Sequence, residues 1–172
     1  VRAIAVDRST VYAGGIFVGP RVGVAAFDRR SGATTPFDAR LDLGIVETLA
    51  LTPSGLWVGG GFLKAGGRDQ HRLALLDTAT GRLHPKSLHA GGFVQALAAR
   101  SDGGLLVAGN TEGESSAFFK GRLDSVGGVP RRFAAAISKI DGRATAWNPA
   151  PSASPEQFVV DDASVWAVGY FT

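Results

Sequence analysis

The chain has 172 residues, a net charge of +3, 45% hydrophobic residues and no Cys. That apolar content permits a buried core and disfavours disorder, while the lack of Cys excludes disulfides, thiolate metal ligands and Cys nucleophiles. No apolar run is long enough for a transmembrane helix, and the pairs Arg29-Arg30 and Arg131-Arg132 are too widely separated to form the cationic stripe of a nucleic-acid binder.

In chain order, the first apolar run is Val1-Arg2-Ala3-Ile4-Ala5-Val6, followed by a polar turn and Val11-Tyr12-Ala13-Gly14-Gly15. Val24-Ala25-Ala26-Phe27-Asp28 comes next, then Ser31-Gly32 and a short strand ending near Phe37. The same succession restarts at Val46 with Val46 to Leu51, Leu56-Trp57-Val58-Gly59-Gly60 and Leu73-Ala74-Leu75-Leu76-Asp77 before Thr80-Gly81. It restarts at Val94 with Val94 to Ala99, Leu105 to Gly109 and Ala134 to Ser138 before Asp141-Gly142, with Trp147 closing the copy. A partial fourth copy runs from Pro155 through Val165-Trp166-Ala167-Val168-Gly169-Tyr170-Phe171. The repeats are therefore 1–45, 46–93, 94–154 and 155–172, the third lengthened by an insertion at about 111–125. The periodicity is that of strands throughout. Four short strands per repeat of this length is the signature of a β-propeller blade, so the expectation is an all-β propeller segment with four-stranded antiparallel blades, about three and a half repeats being present.

The recurring residues have structural tasks in this reading. Gly14-Gly15 and Gly59-Gly60 end strands where a Cβ would obstruct close backbone packing. Asp28 and Asp77 cap the turns closed by Gly32 and Gly81, and Ser138 with Asp141 does the same before Gly142. Calcium binding by these Asp residues is the functional alternative. Tyr12, Trp57, Leu106 and Trp166 are equivalent and expected in inter-blade core. Phe37 and Trp147 both stand five residues after the turn Gly. Lys86 breaks that pattern, so either the second repeat packs differently there or Leu88 fills the slot.

The runs Val-Tyr-Ala-Gly-Gly at 11–15, Leu73-Ala-Leu-Leu-Asp77-Thr-Ala-Thr80-Gly81 and Gly142-Arg-Ala-Thr-Ala-Trp147-Asn148-Pro149 resemble bacterial β-propeller repeats. They are similar to those of the quinoprotein-like kind, and to Val-Tyr-x-Gly-Gly-x-Phe repeats of large secreted and surface proteins. Gly66-Gly67 and Gly127-Gly128 fit the second pattern. The resemblance implies a propeller fold and an extracellular or cell-surface location. The quinone cofactor is not carried over, because no constellation of acidic, Asn and Arg residues answers to its site and vicinal Cys is absent. No other cofactor is expected.

Candidate chemistry is sparse. His71, His84 and His89 lie at strand ends, and their spacing is a poor zinc signal. Asp161-Asp162 fall in a turn. No catalytic or metal residues are assigned. The insertion breaks the repeat, and such departures often map to a binding face; Glu112, Glu114, Phe118, Phe119, Lys120 and Arg122 are its candidate partner-binding residues. The leading expectation is a non-catalytic structural or binding module that presents loops to a protein or carbohydrate partner, without nucleic acid or a membrane span. The alternative is an incomplete part of a propeller enzyme (hydrolase, lyase or quinoprotein dehydrogenase). Because closed propellers need four to eight blades, the chain is expected to belong to a longer one, whose remainder would be a partner.

Overall fold

Short apolar runs separated by Asp- and Gly-containing turns favour strands over helices locally. A computed structural model describes residues 1–42, 45–109 and 121–170, and every regular element among them is a strand. The elements are β1 (Ala3–Val6), β2 (Thr10–Gly14), β3 (Val24–Asp28), β4 (Val46–Thr52), β5 (Gly55–Gly60), β6 (Lys64–Ala65), β7 (Arg68–Asp69) and β8 (Leu73–Leu76). They continue with β9 (Ala96–Ala99), β10 (Leu105–Ala108), β11 (Ser125–Val126), β12 (Val129–Pro130), β13 (Ala134–Ile137), β14 (Gln157–Val160) and β15 (Val165–Val168). Three antiparallel sheets, β1-β2-β3, β4-β5-β8 and β9-β10-β13, correspond to the three repeats, and β14-β15 pair as a fourth. No described helix is long and apolar enough to cross a membrane.

The expected fourth strand of each sheet is reduced to a single bridge: Phe27 with Thr34, Leu76 with Leu83 and Ile137 with Ala144. One further backbone bond comes next, from the N–H of Thr35, His84 or Thr145. Pro36 and Pro85 directly follow in the first two repeats, and a residue without an N–H cannot extend a ladder; in the third, Ala146 stands at that place.

Strand alternation distributes the core. In the second sheet Leu56, Val58, Ala74 and Leu76 pack with Tyr12, Val24 and Ala26 of the first sheet. The intervening Trp57, Leu73 and Leu75 pack instead with Leu105, Val107, Ala135 and Ile137 of the third. The third sheet repeats the division, turning Leu106, Ala108, Ala134 and Ala136 toward Phe158 of the fourth. Successive side chains on a strand point to opposite faces, so the second and third sheets are buried on both sides by their chain neighbours, whereas Ile4 of the first sheet and Trp166 of the fourth stay exposed. The first strands also form a row, with β1 against β4, β4 against β9 and β9 against β14.

The register makes the repeat explicit. Ala5 opposes Tyr12, Ala50 opposes Trp57, Ala98 opposes Leu106 and Val159 opposes Trp166. Tyr12, Trp57 and Leu106 each face the next sheet along the chain. Gly59 lies two residues beyond Trp57, and a Cβ there would sit 2.5 Å from Val94 Cγ1. The corresponding Cβ on Gly14 would lie 2.6 Å from Val46 Cγ1. These glycines let the next repeat approach the strand end. Phe37 joins the first cluster and Trp147 packs beside the third. In the second repeat Leu88 packs against the second cluster, whereas Lys86 is exposed and donates from Nζ to the Ile140 carbonyl at 2.9 Å. Leu88 therefore fills the slot that Lys86 leaves.

The hairpins β6-β7 and β11-β12 occupy equivalent places. Their turns use Gly66-Gly67 and Gly127-Gly128, all with positive φ, as a two-residue hairpin of this type requires. The Arg72 carbonyl accepts from the Gly60 N–H, and the Arg72 N–H donates to the Phe62 carbonyl; Phe133 does the same with Gly109 and Leu123. Leu123 thus corresponds to Phe62, and Leu123 to Ser125 belong to the repeat rather than to the insertion.

Candidate functional site

The Asp-capped turns are closed by local hydrogen bonds to Oδ1. Asp28 Oδ1 accepts from the Ser31 N–H and hydroxyl, both at 2.7 Å, and Asp77 Oδ1 accepts from the Thr80 N–H at 2.8 Å and hydroxyl at 2.6 Å. The Ser31 N–H foremost holds the Asp28 carboxyl below its usual range, and the Thr80 hydroxyl does so for Asp77. In the third repeat Asp141 Oδ1 accepts from the Arg143 N–H, and Ser138 Oγ from the Ile140 N–H. Gly32, Gly81 and Gly142 supply the left-handed residue that closes each turn. A cation at Oδ1 would compete with these bonds. Among the described residues no three His, Asp or Glu side chains gather to hold a metal ion. Asp161 lies in the β14–β15 turn and accepts from the Ala163 and Ser164 N–H groups, matching Asp7 with Ser9 and Thr10.

The histidines divide. His71 and His89, distant in sequence, meet edge to face with ring centroids 5.3 Å apart, and His89 Nδ1 accepts the His71 backbone N–H at 3.1 Å. Burial first, and then the neighbouring His71, push His89 below the usual imidazole range. His84 Nδ1 accepts the Lys86 N–H and serves a turn.

A concentration of positive charge lies where the first repeat meets the second. Arg21, Arg40, Arg68 and Arg82 line an open depression of about 570 Å³, with Asp38 the one carboxylate in its lining. Backbone bonds position this rim. The Asp38 N–H donates to the Thr80 carbonyl at 3.0 Å, and the Gly66 N–H donates to the Ala39 carbonyl at 2.8 Å. The first joins the segment carrying Arg40 to the turn that precedes Arg82; the second joins it to the hairpin that carries Arg68. Arg40 has a φ of 45° and gives its N–H to Asp38 Oδ1 at 3.1 Å. Its Nε stands 4.0 Å from Asp38 Oδ2, a loose and exposed ion pair. Among the described residues Arg21, Arg68 and Arg82 form no ion pair. The sequence draws the eye to adjacent Arg pairs and away from this group. The available signal is positional: Arg68 comes after the hairpin Gly pair and Arg82 after the turn Gly.

A second basic surface lies beside the insertion. Arg122, with Arg131 and Arg132, lines a depression of about 600 Å³ that also contains Asp124. The Arg122 and Arg132 guanidiniums lie 5.9 Å and 5.6 Å from the Phe133 ring centroid. Arg122 is thereby an exposed member of a described surface. Glu112, Glu114, Phe118, Phe119 and Lys120 lie outside the described residues, as does Phe171. Among the structural positions, Trp57 is buried between the second and third sheets, whereas Trp166 is half exposed. No protein-family model and no curated protein matches the chain.

Proposed function

We propose that the chain is a run of β-propeller blades serving as a non-catalytic module of a secreted or surface protein, which displays its turns and loops rigidly to a protein or glycan partner. The observation that carries this reading is the equivalence of the inter-sheet interfaces. Tyr12, Trp57 and Leu106 each turn toward the next sheet, and the first strands stand in a row. That is the relation expected of blades around an axis. The bridged segments at Thr34, Leu83 and Ala144 stand for the outer, fourth strand of each blade. Ile4 on the first sheet, and Val159, Trp166 and Val168 on the fourth, leave apolar surface for further blades of the same repeat.

Electron cryomicroscopy of the full-length gene product tests the architecture. A closed ring of such sheets is expected; an open stack or a two-layer sandwich would overturn it. A glycan and protein array probed with the same product tests the display role, and hydrolytic or redox turnover by the described surface would refute it.

A further inference from the structure

We infer that the depression bounded by Arg21, Arg40, Arg68 and Arg82 is a binding site for a sulfated or otherwise multiply anionic oligosaccharide. The inference deepens the display reading by naming a ligand class, and rests on it only for the rigidity of the sheet stack.

Four Arg residues and one Asp line a single open depression, with Arg21 Nη1 also donating to the Pro20 carbonyl at 3.1 Å. Asp38 is already engaged by the Arg40 N–H, so it offsets the surrounding positive charge without reaching Arg68 or Arg82 by any ion pair. Guanidinium forks match the planar or tetrahedral oxyanions of carboxylate, sulfate and phosphate. The rim is preorganised, because backbone bonds tie the Arg40 segment to both the Thr80 turn and the Gly66 hairpin. Less ordering is then required on binding.

The site is only partly repeated, since Arg143 follows Gly142 as Arg82 follows Gly81. At the next boundary Val129 stands where Arg68 does, and the nearby Lys86 ammonium is occupied by the Ile140 carbonyl. Nucleic acid fits less well. No aromatic residue lines the depression, so unstacked bases lack a platform. A duplex carries one charge per about 1.7 Å and calls for a longer stripe.

The test is isothermal titration of the chain with a heparin-type sulfated tetrasaccharide. Saturable one-to-one binding that weakens with added salt is expected. Loss of one charge-assisted contact in Arg68→Gln or Arg82→Gln should weaken it about tenfold, and the double variant about a hundredfold. Arg68→Lys, which keeps charge but loses the fork, should cost only about threefold. Arg68 and Arg82 are exposed, so thermal unfolding should be unchanged in these variants. The Arg29→Gln/Arg30→Gln variant, altered on the first-repeat turn, should bind as the parent does. Absent binding, equal loss in that control, or equal affinity for a single-stranded oligonucleotide would overturn the inference. The titration reads one repeat boundary and the microscopy reads ring closure, so a non-binding chain within a closed ring refutes this site alone. Binding by a protein that forms no ring refutes the propeller reading alone.

Discussion

Trp57 and Trp166 occupy the same place in two copies of one repeat. Trp57 is 3% exposed and Trp166 is 50% exposed. Each opposes a small or β-branched residue across the strand pair, Ala50 for the first and Val159 for the second. The difference lies in the neighbour on the far side of each sheet. The third sheet covers Trp57, whereas no described sheet covers Trp166. Repeat position sets the kind of side chain, and the neighbouring sheet sets what its burial contributes.

The largest test of this contrast is truncation at both sites. Trp57→Ala should cost about 3–5 kcal/mol, because it leaves a cavity between two sheets. Trp166→Ala should stay within about 0.5 kcal/mol, as surface changes do. Chemical denaturation of both variants gives the comparison, and equal losses would break it. Two residues further on, the contrast is between overpacking and open space. Gly59→Ala forces a Cβ against Val94 Cγ1 and Thr48 Cγ2 and should cost about 1–3 kcal/mol by overpacking. Val168, at the equivalent place, is 56% exposed, and its change to Ala should be close to neutral on the same assay.

Polar stitching between sheets is smaller. The Tyr12 hydroxyl lies 2.9 Å from the Thr78 carbonyl across the first interface and 3.2 Å from Asp7 Oδ2. Tyr12→Phe keeps the ring buried against Phe37 and should lose about 1 kcal/mol, read as a lower unfolding midpoint. Smallest is the effect of acid on the turns. Asp7, Asp28, Asp77, Asp102 and Asp141 all have carboxyls held below their usual range by hydrogen bonds. For Asp7 and Asp77 the bonds outweigh a partial burial that acts the other way. A depressed folded pKa contributes stability above the unfolded value of about 4, and that contribution is lost as pH falls below it through the folded values. A thermal melt series should be flat between about pH 7 and 5 in this respect and decline below about pH 4. A decline that survives Asp77→Asn with unchanged size would show that this turn takes no part.

Much of the fold was legible because its causes are local. Asp28 reaches Ser31, and Asp77 reaches Thr80, over three residues, so spacing alone reveals the turns. The glycines at 14, 59, 66 and 67 likewise mark places where a Cβ or a negative φ is excluded. The bounds of the insertion were less legible, because Leu123 replaces the Phe found at 62 and only its backbone bonds to Gly109 and Phe133 reveal the equivalence. The outer edge of each sheet was overestimated for a similar reason. The apolar pattern continues past Thr34 and Leu83, but Pro36 and Pro85 remove the donors that a ladder needs.

By itself, the sequence determined the repeat length, the strand alternation and the capped turns, all of which arise from steric and hydrogen-bonding rules acting within a few residues. Only the tertiary structure decided which sheet covers which face, and therefore why Trp57 is core and Trp166 is not. It also brought His71 to His89, and Arg21, Arg40, Arg68 and Arg82 to one depression. Such groupings arise because the chain returns to the same boundary once per repeat, and side chains distant along the chain then share a surface.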